Sequence, residues 1–380
     1  MPIPARKAKI LGEIPYVYGV NEEHLNGAVC YNCFQFKLIN PVRCSECNQI
    51  YYCSVECQME DWVNGPHDVE CTLFKKLPSK LMDELKLDKD TSEQCDTRMV
   101  ARMMVKMERD GGQSAPDSYY GLPEGFTKRK IGELLTHFEE LPGARVNGKW
   151  NLFKKTYQTY SSFYKSVTFT QFKALVGALC TNCFGICSSN VFVEDDYLGK
   201  GLYLQFSRWN HTCDVPDMTY FSQGRVLLML PISQDLVLTK NTFDGLLIDY
   251  GSYGSINFTK SRRSQLAASF YFVCGCTYCS NKAIDNTKSF AVDYNCKNCG
   301  KPMIAKKNGT VERSAYLYCL FCKKYGESLR YKDYKKYRET VKELIDLQDK
   351  LSNLKCYIED LYDIIKKEET IPLRLNFIYI

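Results

Sequence analysis

Cys30-Tyr-Asn-Cys33, Cys44-Ser-Glu-Cys47, Cys53-Ser-Val-Glu-Cys57 and His67-Asp-Val-Glu-Cys71 form the stretch that decides the reading of this chain. Seven cysteines and one histidine stand there at short, alternating spacings. A structural zinc takes four N/S ligands and keeps no open position. Eight ligands therefore close two sites with none left over. The competing reading is a disulfide framework. The surrounding sequence opposes it, because the N-terminal run MPIPARKAKILGEIPYVYG lacks the apolar core of a signal peptide. Twenty cysteines without such a signal imply a reducing compartment. The location expected is intracellular, in the nucleus or the cytoplasm.

At 380 residues the chain has room for two or three domains. Its 45% hydrophobic and 25% charged residues are ordinary for a globular protein. A net charge of +6 permits an acidic partner without requiring one, so nucleic acid is not expected as a direct ligand. No run approaches the roughly 18 apolar residues of a membrane helix, and no membrane association is expected. Sequons at Asn210, Asn257 and Asn308 read as accidental in a chain with no secretory route.

The remaining cysteines fall into groups. Cys274-Gly-Cys276-Thr-Tyr-Cys279 offers three thiolates where zinc needs four, and Cys213 is the best candidate for the fourth. Cys296-Lys-Asn-Cys299 and Cys319-Leu-Phe-Cys322 have the spacing of one zinc ribbon. Cys95, Cys180, Cys183, Cys187 and Cys356 read as small buried side chains. None of these sets keeps an open ligand position, so the zinc is structural and any chemistry lies elsewhere.

Apolar periodicity predicts helix over 72–110, through Leu77, Leu81, Leu85 and Leu87, and again over 127–180. Between them GGQSAPDSYYGLPEG reads as a loop. In the finger, a short helix is expected to present His67 and Cys71 four residues apart on one face. From about 190 the runs VFVEDD, GKGLYLQFS, MTYFSQG, RVLLMLPI, DLVLTKN and GLLIDYG read as short strands. Residues 333–368 read as an amphipathic helical hairpin.

One segment outside the fingers invites chemistry. Asn210-His211-Thr212-Cys213 follows a strand and is pinned by a metal ligand. Asp249-Tyr250-Gly251-Ser252-Tyr253 and Phe270-Tyr271-Phe272 supply aromatic side chains on the way to Cys274. These residues resemble the SET and MYND domain family of protein-lysine methyltransferases. Cys30 to Cys71 is similar to the MYND finger ligand for ligand, Asn210 to Asp214 to the family's Asn-His-Ser-Cys-Asp segment, and Cys274 to Cys279 to its post-SET cysteines. Thr181-Asn182-Cys183-Phe184 resembles a Cys-Asn-Ser-Phe segment ahead of the core strands. The likeness covers most of residues 5–280.

The resemblance implies an α+β fold, a SET-domain β-fold split by the MYND finger, with a helical insert, a post-SET zinc site and a C-terminal ribbon and helical tail. It places an N-terminal SET portion at 1–29, the finger at 30–71, a helical linker and insert at 72–180, and the SET core at 181–258. A post-SET region follows at 259–285, a zinc ribbon at 286–330 and C-terminal helices at 331–380. It pairs Cys30, Cys33, Cys53 and Cys57 on one zinc and Cys44, Cys47, His67 and Cys71 on the other. It implies S-adenosylmethionine as cofactor, contacted by Asn182, Ser207, Asn210, His211 and Phe272, and a protein substrate bearing a histone or non-histone lysine. The family's Gly-x-Gly cofactor loop is missing from 1–29. Its essential tyrosine aligns without gaps on Ser252, while Tyr250 best matches the strand-end pattern and Tyr253 lies one residue away. A second family tyrosine aligns with Phe270. The alternative is a catalytically impaired scaffold that regulates transcription or other partners by docking a proline-containing peptide on the MYND finger.

Overall fold

The computed structural model describes residues 10–21, 25–87, 95–115, 118–123, 125–188, 197–233, 235–251, 259–280 and 298, together with three strands between 304 and 329. The chain divides into two compact units. The larger holds the described residues up to Gly251 together with Gln265–Val273.

In the larger unit β1 (Leu11–Glu13) and β2 (Val17–Val20) enter different sheets. The finger follows, with the hairpin β3 (Val42–Arg43) and β4 (Tyr51–Tyr52) and the helices α1 (Val55–Val63) and α2 (His67–Phe74). Next come α3 (Ser79–Leu87), α4 (Asp96–Asp110), β5 (Tyr119–Tyr120), α5 (Gly143–Phe153) and α6 (Phe169–Asn182). The chain then returns to the sheets through β6 (Cys183–Cys187), β7 (Tyr197–Leu202), β8 (Asn210–His211), β9 (Met218–Gln223) and β10 (Val226–Pro231). The short helix α7 (Lys240–Phe243) and β11 (Leu247–Ile248) follow.

One antiparallel sheet has the order β5-β1-β10-β9, with Leu11 opposite Met229. Another has the order β2-β7-β6, with Val17 opposite Leu202. Strands β8 and β11 pair in parallel, Asn210 with Leu247 and His211 with Ile248. The strands before the finger thus pair with strands far beyond it, which makes the finger an insertion within one α+β body. The β2–β7 contact is close. A Cβ at Gly199 would stand 2.1 Å from the Gly19 carbonyl oxygen, so only glycine fits there.

Two apolar clusters fill the larger unit. One joins β2, β6 and β7 to the finger and to helices α2–α6. The other gathers Leu11, Phe206, Trp209, Met229, Phe243 and Ile248 beneath β8.

Several expectations are refined. The predicted helix over 72–110 falls on the end of α2 and on α3 and α4, with 88–94 outside the described residues, and α4 closes on Gly111 in the left-handed conformation (φ 64). The predicted helix over 127–180 opens with a single 3-10 turn, Ile131–Glu133. It is interrupted before α5 at Pro142-Gly143 and before α6 at Thr168, whose hydroxyl caps the Gln171 N–H. DLVLTKN is not a strand. Thr239 and Thr242 cap each other reciprocally and start α7, and this local pairing overrides the apolar alternation. The run VFVEDD and the 333–368 hairpin lie outside the described residues.

The smaller unit contains the first part of α8 (Thr259–Phe270) and α9 (Thr277–Ser280). It also holds an antiparallel sheet of β12 (Ile304–Lys307), β13 (Ala315–Cys319) and β14 (Lys324–Leu329). That sheet occupies the predicted ribbon.

Candidate functional site

The finger brings its eight predicted ligands into two groups, Cys30, Cys33, Cys53, Cys57 and Cys44, Cys47, His67, Cys71. In each, the ligand atoms all lie within 4.8 Å of one another. Sulfur separations are 3.6 Å for Cys33–Cys53, 3.4 Å for Cys53–Cys57 and 3.8 Å for Cys44–Cys71. Four sulfurs about 2.3 Å from a tetrahedral zinc stand about 3.8 Å apart, so both groups fit the ion. The pairing is the interleaved one. Local structure explains it. Ser54 caps α1 and starts the helix that carries Cys57, while α2 puts His67 and Cys71 one turn apart. Among the described residues no cysteine is in a disulfide.

The residues beneath β8 make a second constellation. His211 is buried, and its Nδ1 accepts the Tyr250 backbone N–H at 3.1 Å. An N–H can only donate, so the imidazole proton of a neutral ring sits on Nε2, which faces Cys213 Sγ at 3.0 Å. Tyr250 donates its hydroxyl to the Trp209 carbonyl at 2.7 Å. Burial pushes the Tyr250 phenol up to about 12, with the Arg129 charge pulling the other way. Its ring lies 4.8 Å from Phe270, 5.3 Å from His211 and 6.2 Å from Phe272. Tyr271, just past α8, adopts the left-handed conformation (φ 60), and both flanking phenylalanines meet Tyr250. The Tyr271 ring leans on His137, and its hydroxyl accepts from Arg145 at 2.8 Å.

Asn210 is exposed on β8. Ser207 sits in a 3-10 turn, donates to the Leu204 carbonyl and accepts from Arg129, each at 3.3 Å. Asn182 is buried, and its amide donors meet the Leu135 and Ala178 carbonyls at 2.9 and 2.8 Å. Sequence reasoning missed Glu13. Its carboxyl is fully buried and accepts the backbone N–H groups of Gln205 and Phe206. It thereby anchors the turn that carries Ser207. Burial pushes Glu13 up to about 8, opposed by those N–H groups and by Arg208. No local pattern marks this residue, because its partners lie far along the chain.

Cys213 is buried just after β8. In the smaller unit Cys279 accepts a hydrogen bond from Arg262 at 3.3 Å, and the Cys279 N–H points at Cys276 Sγ at 3.4 Å. The Cys274 carbonyl accepts from Arg263 at 2.8 Å. Tyr253, Cys296, Cys299 and Cys322 lie outside the described residues, as does the Cys319 side chain. A cleft of about 1070 Å³ runs between α1 and the strands before the finger, lined by Ile14, Tyr16, Val55, Met59, Val63 and Arg225 among others.

Two zinc clusters inserted into a mixed helix and sheet body define a zinc-finger protein with an α+β core. The MYND finger family matches residues 30–71. The chain is 25% identical over 279 residues to the N-lysine methyltransferase SMYD2 of Homo sapiens, covering 72% of this chain and 54% of that protein. It is 26% identical over 259 residues to the human histone-lysine N-methyltransferase SMYD3, covering 68% and 53%. A SET and MYND domain-containing protein of Dictyostelium discoideum is 24% identical over 306 residues, covering 77% and 51%. Residues 30–71 are thus a MYND finger, and over about 68–77% of its length the chain is similar to SET and MYND domain proteins. The chain spans about half the length of the curated relatives it matches. Among the described residues no helix is long and apolar enough to cross a membrane.

Proposed function

We propose that the chain is a protein-lysine N-methyltransferase that uses S-adenosylmethionine and acts on a histone or non-histone lysine, in the nucleus or the cytoplasm. The observation that carries this reading is the aromatic enclosure of Tyr250, Phe270, Phe272 and His211 beside the exposed Asn210. The donor set suits the cofactor. Asn210 and Ser207 offer polar contacts, and Phe272 and Tyr250 offer aromatic faces to a cationic sulfonium. Asn182 and His211 join them through whatever acceptor or backbone groups their own hydrogen bonds leave over. When bound, the cofactor supplies a methyl group on that sulfonium.

A lysine amine must be neutral to accept a methyl group, yet its reference pKa is about 10.4. Apolar aromatic walls exclude water and lower that value. The Tyr250 proton is committed to the Trp209 carbonyl, so the phenolic oxygen retains lone pairs to receive an amine N–H and orient the nucleophile. Tyr253 is the other proposed tyrosine. Positioning of the two reactants accounts for most of such catalysis. Two further zincs are proposed, one on Cys213, Cys274, Cys276 and Cys279 and one on Cys296, Cys299, Cys319 and Cys322. The exposed apolar residues Val55, Met59 and Val63 of the finger suit a proline-containing peptide partner.

Calorimetric titration with S-adenosylmethionine, on wild type and Asn210→Ala side by side, tests the reading. Binding by wild type and weaker binding by the variant are expected. No binding at millimolar cofactor refutes the enzyme, and equal affinities remove Asn210 from the site.

A further inference from the structure

Arg102 lies on α4, outside the finger, yet it is wholly buried against it. Its Nη2 donates to Asp61 of α1 at 2.6 Å and its Nη1 to Glu70 of α2 at 2.5 Å. Both carboxylates are fully buried. The guanidinium is covered by the rings of Tyr18 and Tyr31, 4.7 and 5.0 Å away. Asp61 also accepts the hydroxyls of Tyr18 and Tyr52, each at 3.0 Å. Glu70 has no comparable second support, and its Oε1 is buried without a hydrogen-bond partner.

The Glu70 oxygen held by Arg102 also faces the zinc-ligand histidine. Oε2 lies 3.8 Å from His67 Nδ1, while the other ring nitrogen, Nε2, stands 3.8 Å from Cys47 Sγ within the ligand group. Ligation through Nε2 leaves the imidazole proton on Nδ1, the buried ring atom 3.8 Å from Glu70, an ion-pair distance beyond direct hydrogen-bond reach. A carboxylate behind a ligating histidine fixes its orientation and raises its basicity. The chain of groups therefore runs from the body helix α4 through Arg102 and Glu70 to the back of a zinc ligand.

We propose that Arg102 is a positioning residue for the second zinc of the finger, holding Glu70 behind His67 so that zinc on Cys44, Cys47, His67 and Cys71 is tightly bound only while the finger is seated on α4. The first cluster, Cys30, Cys33, Cys53 and Cys57, has four thiolates and no histidine, so it is not subject to this control. Metal occupancy at one site and docking of the finger become a single property.

The two clusters are distinguishable by spectroscopy, because cobalt(II) absorbs at different wavelengths with three thiolates and an imidazole than with four thiolates. Displacement of cobalt by zinc, followed in the full chain, reports each affinity separately. Glu70→Gln keeps the shape and one acceptor for Arg102 and so preserves the fold. It is expected to weaken metal binding at the histidine-containing site by about 10- to 100-fold, the range for lost outer-shell partners, and to leave four-thiolate sites unchanged. Arg102→Lys is expected to weaken the same site in the wild-type background and to add little in the Glu70→Gln background, as a double-mutant cycle resolves. Wild-type affinity at the histidine-containing site in folded Glu70→Gln overturns the proposal. So does an equal effect of Arg102→Lys in both backgrounds, which reduces Arg102 to a staple between helices.

Discussion

Replacing Glu13 by glutamine tests how the turn that carries Ser207 is anchored. The folded-state pKa of Glu13 is raised from 4.5 to about 8, chiefly by burial. Below pH 4.5 the carboxyl is protonated in both the folded and unfolded chain, and its contribution to stability is whole. As pH rises toward 8 the unfolded chain ionises freely while the folded chain resists, so stability is lost through that window. At 1.36 kcal/mol per pKa unit, the interval from 4.5 to about 8 corresponds to about 5 kcal/mol. Glutamine does not titrate, so the variant lacks this loss. Denaturant unfolding of both proteins between pH 5 and 9 is the assay. The stability of wild type relative to Glu13→Gln is expected to fall steadily up to pH 8 and then level. A constant difference across the range refutes the reasoning. It would mean that the N–H groups of Gln205 and Phe206 hold the carboxyl ionised throughout.

Two further perturbations separate packing from chemistry. Gly199→Ala forces a methyl group into the Gly19 carbonyl and is expected to cost about 3 kcal/mol, read as a lower denaturant midpoint. Asn182→Ala removes the donors to the Leu135 and Ala178 carbonyls, and thermal melting without cofactor is expected to register a loss of about 2 kcal/mol. An unchanged melting temperature would show that Asn182 has no structural share.

The finger was legible in the sequence because metal ligation is local. Its pairs lie three or four residues apart, and α2 realises the His67–Cys71 spacing directly while α1 carries Cys57 just past its cap. The strands MTYFSQG and RVLLMLPI were legible through short apolar runs and form β9 and β10, while only the start of GKGLYLQFS lies in β7 and its end runs into a 3-10 turn at Phe206–Arg208. Arg102 was not legible. Arg98, Arg102 and Lys106 recur every fourth residue along α4, the pattern of a solvated charged face, yet both arginines are buried. Their partners are the Val20 carbonyl for Arg98 and finger carboxylates for Arg102, and no spacing within α4 announces either. DLVLTKN misled for the opposite reason, since a reciprocal threonine cap outweighed an apolar alternation. The bond from the half-buried Tyr250 hydroxyl to the Trp209 carbonyl was not legible either, because the two residues stand 41 positions apart.

The insertion also sets a timetable for synthesis. Val17 of β2 pairs with Leu202 of β7, so β2 has no strand partner until the ribosome has passed the finger and all of α3–α6. At about 5–20 residues per second that wait is on the order of ten to forty seconds. The finger completes its ligand set within the first 71 residues and is free to close on metal during the interval. Arg102 is made soon after, and the nascent finger acquires its first body helix long before β2 can pair with β7. A metal-loaded finger already bound to α4 then presents β2 at a fixed point for β7 to find, which shortens the search that a long-range antiparallel pairing otherwise requires.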